Sequence, residues 1–249
     1  MRFFLEIAYR GTAYHGWQIQ KNAVTVQEVL NKILSKLLSH EVATIGSGRT
    51  DTGVHALQQF VHIDSTMDLM DEGFMYRMNK MLPREITLKS VKKVKEDAHA
   101  RFDAISRSYE YRIITEKNPF LIDLRYYYSK SLDLDTMNEA SKFLLEQNDF
   151  ESFSKVKTDV RTFNCKIARA EWIRNHEGIT FYISADRFLR GMVRAIVGTL
   201  LEVGQNKLTV KDFEEIIKSK NRRSAGKAAP AHGLFFSNIS FPEHIFYID

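Results

Sequence analysis

Both halves of this 249-residue chain order their periodicities as strand, helix, strand. A natural division falls near 100–105, and no segment is low in complexity. These observations predict an α+β fold class: two ferredoxin-like (βαββαβ) subdomains, 1–104 and 105–249, with mainly antiparallel sheets flanked by helices. No direct sequence repeat relates the halves, so the duplication is one of topology. Nothing at the boundary resembles a flexible linker.

In the first half, residues 2–8 (RFFLEIA) put Phe3, Leu5 and Ile7 on one face of a strand. Thr25-x-x-Glu28 is a capping box, followed at helical spacing by Val26, Val29, Leu30, Ile33, Leu34, Leu37 and Leu38. Short strands are expected at 42–46 and 57–64, with Gly46, Gly48 and Gly53 punctuating the loop between them. A helix over 71–81 stops at Pro83, and 86–94 reads as the closing strand.

In the second half, 105–114 alternates and 125–130 is rich in strand formers. A helix follows Asp133, with Leu134, Met137, Ala140 and Leu144 on one side. Residues 162–174 and 179–186 read as a hairpin about Asn175-His176-Glu177-Gly178. A strongly apolar helix is expected from about 188 to 202, ending near Gly204. Thr209-x-x-Asp212 opens another helix, and 233–241 forms the last strand.

Composition bounds the function. The 44% hydrophobic and 27% charged shares are those of a globular chain, not a disordered or fibrous one. No apolar run reaches the roughly 18 residues of a membrane helix, and the N-terminus lacks the order of a signal peptide. One cysteine, Cys165, excludes an internal disulfide and a multi-thiolate metal site. A soluble protein of a reducing compartment, most simply the cytoplasm, is expected. With 36 basic and 31 acidic residues the net charge is +5, yet 187–227 alone carries +6. A smaller excess lies in 154–174, where Lys155, Lys157, Arg161, Lys166, Arg169 and Arg174 face Asp159 and Glu171. Such concentration favours phosphate through counterion release, or serves only as a solvated surface.

The densest chemical signal is GSGRTDTGVHA, 46–56. Asp51 on this glycine-rich loop is either a positioned nucleophile or base, or a residue that merely stabilises a turn. The eight histidines are scattered, His62 reads as a surface strand residue, and no metal site is expected. On the helix expected from 188, Arg187, Arg190 and Arg194 fall at i, i+3 and i+7, on one side. Arg194, near the edge of the buried face, needs a carboxylate or phosphate partner. Arg187 and Arg190 either snorkel or contact RNA. Gly191 and Gly198 suggest close backbone packing. Tyr109 and Tyr111 share one strand face with Arg107. One tyrosine is expected in the core with a bonded hydroxyl, and an exposed one would stack on an unpaired base.

Taken in order, YRGTAYHGWQIQKNAVTVQEVL (9–30), GSGRTDTGVHALQQFVHI (46–63), HARFDAISRSYEYRI (99–113), FLRGMVRAIVGTLLEVG (188–204) and AGKAAPAHGLFFSNISF (225–241) resemble the TruA family of tRNA pseudouridine synthases. The resemblance implies that Asp51 is the catalytic aspartate, Tyr109 lies against the target base, and Arg194 pairs with the aspartate. It also implies that Leu234 packs beneath the base and that Arg49 helps flip the uridine out. Departures are Thr52, Phe235-Phe236 and Phe241, where a small residue, Tyr-Leu and Tyr are usual. It further implies isomerisation of uridines 38, 39 and/or 40 in the tRNA anticodon stem-loop and an RNA-binding cleft between the subdomains. A homodimer, and no metal or organic cofactor, are also implied. Arg190 and Arg222, in the basic stretch, are expected to contact RNA. The alternative is a non-catalytic RNA-binding or RNA-folding module. A two-carboxylate glycosidase lacks its second acid in any comparable loop.

Overall fold

Burial of both faces makes β1 (Arg2–Tyr9) the centre of the first half, with Phe3, Phe4, Leu5 and Ile7 fully covered. The computed structural model describes residues 1–156 and 160–247; Lys157 and Asp159, counted above in the basic stretch, lie outside the described residues. Two units are resolved, Met1–Ile105 with Phe236–Asp249, and Ser106–Phe235. They differ from a cut between 104 and 105 because the chain after Phe235 returns to the first unit.

That first unit runs β1, α1 (Val26–Leu38), β2 (Ile45–Gly46), β3 (His55–Asp64), α2 (Glu72–Met81) and β4 (Ile86–Val94), which is the βαββαβ order. β1 pairs antiparallel with both neighbours, Phe4 opposite His62 on β3 and Lys92 on β4. The short β2 pairs with β3 at Ile45–His62. Thr25 Oγ1 accepts the Glu28 N–H at 3.3 Å and starts α1, whose Val26, Leu30, Leu34 and Leu38 are buried. Phe4, Phe60 and Phe241 form an aromatic core with centroids 5.1–5.4 Å apart for the two pairs involving Phe241. Each such ring contributes about 1.5–3 kcal/mol by leaving water.

The second unit contains β5 (Ser106–Ile114), β6 (Tyr126–Tyr127), α3 (Leu134–Glu146), β7 (Ile167–Asn175), β8 (Gly178–Ala185), α4 (Met192–Gly204) and α5 (Val210–Lys218). β8 lies antiparallel between β5 and β7, and β6 runs parallel to β5. The hairpin turns at Asn175–Gly178, as the sequence suggests. Asp133 and Thr209 cap α3 and α5, the latter with a complete capping box through Asp212. β9 (Leu234–Ser240) starts in this unit and adjoins β3 of the first from Phe236 onward. The class is therefore α+β with mainly antiparallel strands, as expected. No helix among the described residues is long and apolar enough to cross a membrane.

The apolar helix starts later than its periodicity suggests. Gly191 adopts φ +72° as its N-cap, so Phe188 and Leu189 precede the helix and the first helical residue is Met192. A left-handed residue ends any α-helix running into it. Arg187 and Arg190 consequently lie off α4, and the expected i, i+3, i+7 arginine face is not formed. Among the three arginines only Arg194 is helical.

Candidate functional site

Within the first unit, the 46–56 loop is held by the segment that follows β1. Trp17 N–H donates to Thr50 O at 3.2 Å, and Gly53 N–H to Tyr14 O at 3.3 Å. Two glycines make that approach possible. A Cβ on Gly11 would stand 2.0 Å from Val54 O, and one on Gly16, whose φ is +82°, 2.4 Å from Thr50 O. Backbone meets backbone there, which no side chain permits. A buried polar network underlies the contact. Tyr9 Oη lies 2.8 Å from Thr50 Oγ1 and donates to Gln59 Oε1 at 2.8 Å. Gly11 N–H donates to Nδ1 of the buried His55 at 3.0 Å, which puts the ring proton on Nε2.

Asp51 itself is half-buried and opens a turn closed by Val54 N–H to Asp51 O at 3.1 Å, with Gly53 at φ +79°. Asp51 thus sits in a turn, and the turn is fixed from beneath by hydrogen bonds with Trp17, Tyr14 and Tyr9. Arg49, two residues earlier, is exposed.

In the second unit, Arg194 is half-buried on the first turn of α4, and its Nε donates to Ala229 O at 2.7 Å. Ala229 N–H returns a bond to Arg194 O at 2.9 Å. Gly198 lets this segment press on α4, since a Cβ there would lie 1.8 Å from Lys227 O. Close packing is therefore found at Gly198. Gly191 instead supplies a positive φ, with nothing within 4 Å of an added Cβ. Tyr109, 9% exposed, meets Phe188 edge-on at 5.1 Å. Tyr111 is the core tyrosine, fully buried with its hydroxyl donating to Pro230 O at 2.9 Å, and burial pushes that hydroxyl well above the usual tyrosine range. Leu234, 5% exposed, begins β9 directly after Gly233, which sits against the Tyr111 ring.

Arg190 is exposed in the turn before α4. Arg222 is half-buried and its Nη1 donates to Ala225 O and Gly226 O, both at 3.2 Å, so it also shapes the segment that packs on α4. His62 is not a surface residue. It is 4% exposed, its Nδ1 accepts the Ala100 N–H at 3.1 Å, and burial with the neighbouring His99 and Arg2 lowers its pKa to about 4. β3 is covered on both faces where His62 lies, so polar alternation does not mark a solvent face.

The support of Asp51 by Tyr9, Gly11, Tyr14, Gly16, Trp17, His55 and Gln59 escaped sequence reading. Its one signal was Gly11 and Gly16, five apart with aromatics between, just after a strand.

Comparison with known proteins identifies the family. A family model described as tRNA pseudouridine synthase matches residues 7–103 and 140–242. A Bacteroides fragilis protein named tRNA pseudouridine synthase A is 49% identical over 247 residues, covering 98% of each chain. The protein of that name from Bacteroides thetaiotaomicron is 50% identical over 248 residues, or 98% of this chain and 92% of its own. One from Staphylococcus aureus is 35% identical over 246 residues, or 98% and 93%.

Proposed function

Because the chain belongs to the tRNA pseudouridine synthase family, we propose that it isomerises uridine to pseudouridine in tRNA with Asp51 as the nucleophile. The targets are positions 38, 39 and/or 40 of the anticodon stem-loop, in the cytoplasm, and the working form is a homodimer. The observation that carries the reading is the Asp51 turn, gripped through the Trp17–Thr50 and Gly53–Tyr14 bonds.

The reaction breaks the bond from N1 of uracil to C1′, turns the base, and joins C5 to C1′. A proton leaves C5 and one is gained at N1, so substrate and product are isomers and no electrons are exchanged. The carboxylate of Asp51 either adds to C1′ and is later expelled by C5, or assists formation of a glycal. Arg194 is the basic partner that the family resemblance assigns to this carboxylate. Tyr109 orients the base or receives the C5 proton, and Leu234 supplies an apolar seat. Unstacking the uridine costs a few kcal/mol, offset by contacts of Arg49, Arg190 and Arg222 with RNA. Mapping pseudouridine in tRNA from cells with and without this protein tests the proposal. Loss confined to positions 38–40 supports it, and an unchanged map overturns it.

A further inference from the structure

Wholly within the second unit, the segment from Gly226 to Leu234 begins as a strap fastened along α4. Gly226 N–H donates to Thr199 Oγ1 at 2.9 Å, and that hydroxyl donates in turn to Ala195 O at 2.8 Å. Lys227 O presses on Gly198, and Ala229 exchanges two hydrogen bonds with Arg194. One residue later the strap leaves α4 for β5, where Pro230 O accepts from Tyr111 Oη at 2.9 Å.

Two consecutive carbonyls therefore carry two bonds of different purpose: Ala229 O takes Arg194 Nε, and Pro230 O takes Tyr111 Oη. The joint between them is stiff. The peptide bond is planar and the proline ring holds φ, here −54°, so only ψ separates the two carbonyls. Ala229, preceding a proline, is biased to extended backbone as well.

Tyr111 is a fixed point for this joint. It is fully buried on β5 opposite Phe181 of β8, with the Tyr126 ring edge-on at 6.4 Å. Gly233 closes over the ring, where an added Cβ would stand 2.8 Å from Cζ. Burial pushes the hydroxyl above the ordinary tyrosine range, so at neutral pH it keeps its proton and donates.

We propose that Tyr111 is a positioning residue for Arg194: its hydroxyl fixes Pro230 O and, through the proline, sets where Ala229 O holds the guanidinium. The inference rests on the role given to Arg194 above and adds a residue that acts through it. Leu234, four residues beyond Pro230, continues from the same joint.

Tyr111→Phe keeps the ring and removes the one hydrogen bond. Single-turnover tritium release from C5-labelled tRNA, and tRNA binding by fluorescence anisotropy, are measured for this variant. The same is done for Ile113→Val, a fully buried position two residues along the same strand face. Urea midpoints place both on one stability scale. Tyr111→Phe is expected to slow release about tenfold with binding unchanged, because a small displacement of Arg194 acts on the chemical step. Ile113→Val is expected to lose stability and keep its rate. In an Arg194→Ala background, Tyr111→Phe is expected to cost less than about twofold, since the group it positions is gone. Release by Tyr111→Phe at the unaltered rate overturns the proposal, as does the full loss in the Arg194→Ala background. Rate losses that simply follow stability in both core variants overturn it too. Should Tyr111→Phe not fold, Pro230→Ala loosens the joint with Tyr111 in place. It is expected to slow release about threefold at unchanged binding, and an unaltered rate overturns the proposal. Normal release by these variants defeats the positioning role alone, whereas no release by the unaltered protein defeats the isomerase reading and the role with it.

Discussion

Gly16→Ala separates a loop held by close backbone contact from one that merely happens to lie nearby. Gly16 has φ +82°, and a Cβ built there lies 2.4 Å from Thr50 O, about 1 Å inside ordinary contact. The left-handed conformation costs an alanine about 1–2 kcal/mol. Relieving the overlap adds about 1–3 kcal/mol, because the atom opposite is backbone and cannot rotate away. The sum is about 2–5 kcal/mol of stability, read from urea midpoints at constant m. The relaxation that lowers this figure moves Thr50, and Asp51 with it, by up to about 1 Å, a displacement that reduces turnover on the order of 10²-fold. Gly191→Ala is the matched comparison, since φ there is +72° but no atom lies within 4 Å, leaving only the conformational penalty. Unfolding curves are recorded for both variants, and tritium release from C5-labelled tRNA for Gly16→Ala. A Gly16→Ala protein no less stable than Gly191→Ala and as active as the unaltered chain would mean that close contact at Gly16 does not hold the loop.

Three further outcomes are expected. Tyr9→Phe removes the hydroxyl bonded to Thr50 and Gln59, destabilises the protein by about 1–3 kcal/mol in urea titrations, and lowers kcat through the loop it supports. His62, held near 4 against an ordinary 6.5, is neutral in the folded state while its unfolded counterpart takes up a proton below 6.5. Stability is therefore expected to fall by about 1–2 kcal/mol as pH drops from 6.5 toward 4, with Asp64 and Asp103 opposing the shift and His62→Gln flattening this part of the urea-midpoint profile. Arg194→Ala is expected to lower kcat by about 10²–10³-fold, whereas Arg222→Ala weakens tRNA binding and reduces its salt slope by about one; equal effects on kcat would remove Arg194 from its proposed role.

Long-period features of the fold were legible in the sequence because they depend on local patterning. The βαββαβ order of the first unit, the Asp133 and Thr209 caps and the Asn175–Gly178 hairpin all follow from apolar spacing and turn chemistry. The start of α4 did not, because apolar residues continue through Phe188 and Leu189 and only the backbone conformation of Gly191 ends the helix. His62 was misplaced for a related reason: alternation marks a solvent face only where one exists, and β3 is covered there on both sides. The Asp51 loop stood out through its own glycines, arginine and carboxylate. Its supports did not, since Tyr9, Gly11 and Gly16 lie 35 or more residues from Asp51 and meet the loop only through tertiary contact.

The most direct measurement is single-turnover tritium release from C5-labelled tRNA by Asp51→Asn. The amide keeps the size and shape of the carboxylate but cannot serve as the nucleophile. tRNA binding unchanged from the unaltered protein, with no release above background, is the expected result. Release at the unaltered rate would contradict the assignment of Asp51.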